Sequence, residues 1–277
     1  MRSPEKAAHL ARRGASLVAG DLQNPSALGQ LADNCDALVH AAGAVRGSSQ
    51  AAFDGVNVAG TAAVLAAIKA QSGSPRLLLL SSLAAREPDL SWYAHSKRDA
   101  EKLLEAETGV DWLILRPPAV YGPGDREMLP VFQSMARGIP TVPGSPQARL
   151  SLIHVSDLVA AIASCLQSAA TRHRTLTLGD GKQGGYDWQE LAAAAGAVWG
   201  RKVRLWRIPG WLLDTVARLN LWSAGITGRA PMLTPAKLRE LRHQDWVVDN
   251  EAIAATTGWT PAISLSQGLA QLRKAAL

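Results

Sequence analysis

Cysteine is almost absent from this chain of 277 residues: Cys35 and Cys165 stand alone, at no paired spacing. That excludes a disulfide framework and a thiolate metal site, and it points to a reducing compartment. Long hydrophobic runs are also missing, and no stretch is expected to reach the ~18–20 apolar residues that span a bilayer. The start, Met1-Arg2-Ser3-Pro4-Glu5-Lys6, is charged from its second residue, so no leader is expected there. The expectation is a cytoplasmic protein without stable membrane insertion. His40, His95 and His154 stand at no metal-ligand spacing and read as structural, so no metal is expected. The net charge of +6 is concentrated in residues 201–242, where nine Lys or Arg face only Asp214 and Glu240. Helix-turn-helix, zinc and RNA-binding motifs are lacking, so no nucleic-acid partner is expected. The basic segment reads as a solvated helix face or as a rim that attracts anionic ligands.

What is present is an alternation of helix-like and strand-like segments. Pro4 to Arg13 is helical in pattern, Ala15 to Ala19 a short strand, Pro25 to Ala32 a helix and Asp36 to His40 a strand. Ala52 to Gln71 is a long Ala-rich helix, Arg76 to Ser81 a buried strand, Tyr93 to Glu107 a helix and Trp112 to Leu115 a strand. Strands apolar on both faces that alternate with helices predict an α/β fold with a doubly wound parallel sheet. After Arg116-Pro117-Pro118 the chain is punctuated by Pro and Gly, at 121–124 and again at 139–146. The order then returns in part. Ser156 to Gln167 is a helix with an N-terminal Ser-Asp signal, and Thr175 to Leu178 is a strand that extends the main sheet. Seven of the nine tryptophans follow Gly181, which marks the tail as a second, smaller lobe. The length suits such a division.

The most informative pattern is Tyr93-Ala94-His95-Ser96-Lys97, eleven residues after Ser82 at the end of the run Leu77-Leu78-Leu79-Leu80. On a helix, positions four apart share a face, so the phenol and the ammonium converge on one spot before the serine hydroxyl. A phenol titrates near 10 when unperturbed, and a neighbouring ammonium is expected to lower it toward a working acid or base. The serine would hold and polarise a carbonyl or alcohol oxygen.

Other short motifs stand in a matching order. Gly20-Asp21-Leu22 follows the strand expected at 15–19, and His40-Ala41-Ala42-Gly43 ends the next. Asn57-Val58-Ala59-Gly60-Thr61 lies in the long helix, Ser81-Ser82 ends a strand, and 116–125 reads Arg-Pro-Pro-Ala-Val-Tyr-Gly-Pro-Gly-Asp. Together they resemble the extended short-chain dehydrogenase/reductase superfamily, the NAD(P)-dependent epimerases, dehydratases and dehydrogenases. The resemblance runs from about residue 2 to about 180. It implies a Rossmann-like dinucleotide-binding domain over 1–120, completed by about 150–180, with a substrate-binding lobe from 121–149 and 181–277. It also implies Ser82, Tyr93 and Lys97 as the catalytic triad, with Ser81 as the alternative serine, and Lys97 on the nicotinamide ribose as well. Asp21 and Leu22 would flank the adenine, and Ala41, Ala42 and Gly43 would let the backbone approach the cofactor. Asn57 would support the catalytic helix, and Pro117 with Val120 would pack on the nicotinamide. Arg2 with Ser3 stands where the superfamily recognises a 2′-phosphate, which implies NADP, with NAD possible.

The chain departs from the superfamily in one respect, since no Gly-x-x-Gly-x-x-Gly loop occurs in it. The fold is therefore expected to be N-terminally truncated, lacking one βαβ unit of roughly 30 residues that would hold the pyrophosphate. Three functions follow from the resemblance. The first is an NADP(H)-dependent oxidoreductase acting on a hydroxyl or carbonyl of a small, fairly apolar substrate, with Trp206 to Leu213 as a pocket wall or simply lobe core. The second is a nucleotide-sugar epimerase or dehydratase. Against it, Leu150 occupies the place of the diphosphate-binding arginine and Arg149 is one residue off, on the other face of a strand. The third is a non-catalytic dinucleotide sensor or scaffold that binds a partner protein or a membrane surface through the basic, Trp-bearing segment 201–229. A homodimer is possible in each case.

Overall fold

Leucine-rich segments with no polar face can be strands only where both faces are covered, and the chain builds its sheet accordingly. The computed structural model describes residues 3–227, 231 and 233–275. A 3-10 turn leads into α1 (Ala8–Ala11), and α2 (Pro25–Ala32) follows, capped by Asn24, whose side chain accepts from Ala27 N at 3.1 Å. Then come β1 (Ala37–His40), α3 (Gln50–Lys69), β2 (Arg76–Leu80), α4 (Trp92–Glu105) and β3 (Trp112–Arg116). The second half contains β4 (Ala119–Tyr121), α5 (Leu129–Ala136), β5 (Thr141–Val142), β6 (Arg149–Leu150), β7 (Leu152–His154), α6 (Val155–Gln167) and β8 (Arg174–Thr177). It ends with α7 (Trp188–Trp199), β9 (Trp206–Arg207), α8 (Gly210–Thr227), α9 (Pro235–Arg242), β10 (Asp245–Trp246), α10 (Glu251–Thr257) and α11 (Leu265–Ala275).

The main sheet runs β1-β2-β3-β8, all parallel, with Leu38 opposite Leu77, Leu78 opposite Leu113 and Leu115 opposite Leu176. Alternate side chains go to opposite faces. Leu77, Leu79 and Ile114 pack under α2, α3 and α4, while Leu78, Leu113 and Leu115 meet α6 and α10 through Leu158, Cys165 and Ile253. This is the covered parallel sheet that the α/β pattern predicts, and the strand expected near 175–178 does extend it. A third core joins Tyr121, Phe132 and Leu152 to Leu191 of α7 and Leu269 of α11. There β4 and β7 pair in parallel as a separate two-stranded sheet, Tyr121 opposite His154.

Four expectations are corrected. Ala15 to Ala19 forms no strand among the described residues, because an extended segment becomes a strand only with a partner ladder and β1 pairs with β2 alone. The cap of α6 is not Ser156: His154 Nδ1 accepts from Ser156 N at 3.2 Å, and Asp157 accepts instead from the backbone of Ala262 and Ile263. Helix α3 is, by length and composition, long and apolar enough to cross a bilayer. It serves here as a core helix that buries Asn57, Thr61, Val64 and Ile68. Finally, Trp206, Trp211 and Leu212 are not part of a lobe core, since all three are exposed.

Candidate active site

Two chain reversals bring the candidate residues together. Ser91 caps α4 by accepting from Ala94 N at 3.0 Å, which sets Tyr93 in the first turn and Lys97 one turn later on the same face. At the end of β2, Ser82 caps the turn 83–86 by accepting from Ala84 N at 3.2 Å, and its hydroxyl lies beside the Tyr93 phenol, where it favours the ionised form. Ser81 points the other way. Its Oγ donates to Glu101 Oε1 at 2.5 Å, and Glu101, fully buried, also accepts from Arg116 Nε at 2.8 Å and Arg98 Nη1 at 3.1 Å. Strand alternation thus gives the two serines to different neighbourhoods, and only Ser82 faces the phenol.

Lys97 is buried and donates to the Leu80 carbonyl at 3.0 Å. Beside it is the exit of β1, where Ala41, Ala42 and Gly43 are exposed. A Cβ added at Gly43 would lie 3.1 Å from Asn57 Oδ1 and 3.2 Å from Lys97 Nζ, so a side chain there would crowd the cleft in which backbone and ammonium meet. Asn57 spans the cleft. Its Oδ1 accepts from Ala44 N at 2.7 Å, and its Nδ2 donates to Ala44 O at 3.1 Å and to Ser96 Oγ at 2.8 Å. Ser96 Oγ in turn donates to the Tyr93 carbonyl at 2.9 Å. A small-residue strand end with an ammonium and an amide at its rim suits a dinucleotide's ribose and leaves room for it.

The remaining sequence candidates are more scattered. Pro117 is buried next to the serine turn, its carbonyl accepting from Leu83 N at 2.8 Å. Val120 is half-buried against the second core. Leu22 packs on α3 at Gly60, one turn from Asn57, and Asp21 closes an exposed turn by accepting from Gln23 N at 3.0 Å. Arg2 lies outside the described residues.

Charge and burial set the titration of the site. Burial pushes Tyr93 up to about 12; the neighbouring Ser82 hydroxyl opposes this, and the carboxylates of Glu240 and Glu127 add to it. The expected lowering by Lys97 does not occur. Its ammonium is engaged with the Leu80 carbonyl and is itself lowered to about 8 by burial, with Glu101 working against that. Burial and the Lys97 charge take His40 down to about 4, so it is neutral, its Nε2 3.1 Å from Thr61 Oγ1. It is a structural residue, as its spacing suggested.

Neighbours of the phenol come from far along the chain and had no signal in the sequence. Phe53 meets the Tyr93 ring edge-on at 6.1 Å, and Lys237 of α9 sits 5.5 Å from the ring centre. Helix α9 is fixed there by Ser91 Oγ, which donates to Glu240 at 2.7 Å, and by Arg239 Nε, which donates to the Leu90 carbonyl at 3.1 Å. A small cleft opens between these elements, lined by Val45, Phe53, Tyr93, Pro231, Ala236 and Lys237.

Residues 1–179 match the NAD dependent epimerase/dehydratase family, and the chain belongs to that family. It is thus an NAD(P)-dependent enzyme of the reductase and epimerase type. It is 38% identical over 240 residues to ceramide reductase from Caulobacter vibrioides, covering 86% of this chain and 74% of the relative. Identity to UDP-glucose 4-epimerase from Vibrio cholerae is 25% over 190 residues, covering 67% of this chain and 53% of that one. Among solved structures, RMD from Pseudomonas aeruginosa in complex with NADPH superposes with a TM-score of 0.70 at 20% identity, covering 94% of this chain and 88% of that one.

Proposed function

We propose that the chain is an NADP(H)-dependent reductase that converts a ketone of a small, lipid-like molecule to the alcohol. The observation that carries this reading is the convergence of the Ser82 hydroxyl, a Tyr93 phenol that burial keeps protonated at neutral pH, and Lys97 one turn away beside Gly43. A dinucleotide held at Gly43 and Lys97 would supply the hydride for the carbonyl carbon. Ser82 holds the carbonyl oxygen, Tyr93 gives it a proton, and Lys97 binds the ribose and steadies the charge left on the phenol. Asn57 positions the helix. Asp21 and Leu22 serve the adenine, Ala41, Ala42 and Gly43 the backbone approach, and Pro117 with Val120 the nicotinamide face. Arg2 selects the 2′-phosphate.

The apolar character of the substrate is supported by Val45, Phe53, Trp92, Pro231 and Ala236 in a cleft that Arg46, Ser91, Thr234 and Lys237 also line, and by the relative named for ceramide. Arg149 is held by the carbonyls of Gly184 and Gly185 and by Glu190, which argues against its serving a sugar diphosphate. We assign the cofactor to residues 1–120 with about 150–180, and the substrate to 121–149 and 181–277. A cytoplasmic setting and a homodimer complete the proposal.

The test is NADPH consumption with long-chain ketones and with UDP-sugars. Tyr93→Phe should cut ketone reduction by at least ~10²-fold, the usual contribution of a positioned acid, and leave NADPH affinity nearly unchanged. Near-normal rates in that variant, or turnover of UDP-sugars alone, would overturn the proposal.

A further inference from the structure

Helix α8 presents its side chains in the reverse sense for a helix that faces water. At about 100° per residue, Trp211, Leu212, Val216, Leu219 and Trp222 fall within about 140° of one another. All five are exposed, Trp211 by 70% and Trp222 by 69%. The side turned inward carries Ala217 and Ala224, both buried, flanked by the half-buried Leu213 and Leu221. Asp214 bridges to Arg242 of α9 at 2.8 Å, and Asn220 donates to the Leu233 carbonyl at 3.4 Å. The helix is therefore anchored through Ala217, Ala224, Leu213 and Leu221 while Trp211, Leu212, Val216, Leu219 and Trp222 are held outward. Trp206 of β9, 61% exposed, adds to the same kind of surface. A concentration of large apolar groups on this scale is costly in water and marks a contact surface.

The charges on the segment that leads into α8, and on α8 itself, say what the contact is. Arg201, Lys202, Arg204 and Arg207 are exposed in the preceding segment, and Arg218 lies on the α8 stripe between Trp211 and Trp222. None of these five pairs with a carboxylate among the described residues. A second copy of this chain would bring the same unpaired cations against one another, which counts against self-association through this face. A nucleic acid would use the arginines and leave Leu212, Val216 and Leu219 in water. An anionic bilayer satisfies both sets at once, because tryptophan and leucine enter the boundary between headgroups and chains while arginine meets the phosphates.

We propose that α8, with Trp206 and the basic residues around it, docks the protein peripherally on a membrane of anionic phospholipid, with the helix in the plane of the surface. The inference does not need the chemistry at Tyr93. Where the reductase reading also holds, the docked helix is one element away from the phenol, since α8 is tied to α9 and Lys237 of α9 stands over the Tyr93 ring.

The experiment is flotation of the full chain with vesicles of phosphatidylcholine, with and without phosphatidylglycerol, at physiological salt. Binding is expected only to the anionic vesicles. Arg204→Ala/Arg207→Ala/Arg218→Ala should weaken it about a hundredfold, roughly fivefold per charge. Trp211→Ala/Leu219→Ala/Trp222→Ala should abolish it while the circular dichroism spectrum stays unchanged. Should that variant fail to fold, quenching of wild-type tryptophan fluorescence by brominated anionic lipid provides the same test. Equal binding to both vesicle types, binding indifferent to the charge and tryptophan variants, or no quenching would overturn the proposal. So would a wild-type dimer that the tryptophan variant renders monomeric and that ignores vesicles.

Discussion

Replacing Asn57 with alanine removes one side chain that ties three segments together. The amide is 2% exposed and makes three hydrogen bonds, two to the backbone of Ala44 after β1 and one to Ser96 on α4. At about 0.5–1.5 kcal/mol each, with the Ala44 N–H left short of a partner, the expected loss is about 2–4 kcal/mol. That is a large share of the 5–15 kcal/mol or so typical of a domain. The loss should also reach the site, because Ser96 continues the chain of bonds to the Tyr93 carbonyl and Gly43 is packed against both Asn57 and Lys97. Urea denaturation followed by circular dichroism measures the first effect, and calorimetric titration of NADPH the second. A loss below about 0.5 kcal/mol, small for even one such bond, would refute the claim that Asn57 fastens the strand exit to the helix.

Ser82→Ala should lower turnover sharply with little loss of stability, while Ser81→Ala should chiefly destabilise, because it strips a hydrogen bond from the buried Glu101 carboxylate. Side-by-side rates and melting curves check this, and the reverse ranking would exchange the two assignments. His40 sets a pH dependence of stability. Its folded value of about 4 lies below the ordinary 6.5, so between those values the unfolded chain binds the extra proton and stability falls as pH falls. The full contribution, of order 3 kcal/mol, should be missing from the wild-type minus His40→Gln difference above pH 6.5 or so and should emerge below it. A difference that does not change with pH would show that His40 protonates freely in the folded protein.

Where physics is local, the sequence is a sufficient guide. The runs Leu77 to Leu80 and Trp112 to Leu115 have no polar face, so they could only be central parallel strands, and they are. Tyr93 and Lys97 share a face because helical spacing fixes it. The choice between Ser81 and Ser82 was not legible. Alternation says only that they face apart, and the direction is decided by the buried Glu101 and Arg116 pair, contributed by elements further along the chain. Phe53 and Lys237 reach the phenol through tertiary packing alone. The tryptophans of 206–222 misled for a different reason. Hydrophobicity predicts burial, and here α8 buries alanine and exposes tryptophan.

The titration of the site favours one direction of reaction. The spacing of Tyr93 and Lys97 suggested a phenol made acidic by an ammonium, but burial prevails and leaves it at about 12. At neutral pH such a group holds its proton, so it is ready to act as an acid and poorly suited to act as a base. Giving that proton to a developing alkoxide, whose conjugate acid is about as weak an acid as water and weaker than the phenol, is downhill. Taking a proton from an alcohol would first require ionising the phenol near Glu240 and Glu127, both of which oppose negative charge there. A cationic neighbour reverses this only if it is charged and close. Lys97, lowered to about 8, is still largely protonated at neutral pH, but its hydrogen bond goes to Leu80. On the proposed roles, reduction is therefore the direction the resting site is prepared for, and oxidation requires Lys97 to leave the Leu80 carbonyl for the phenol side of the cleft.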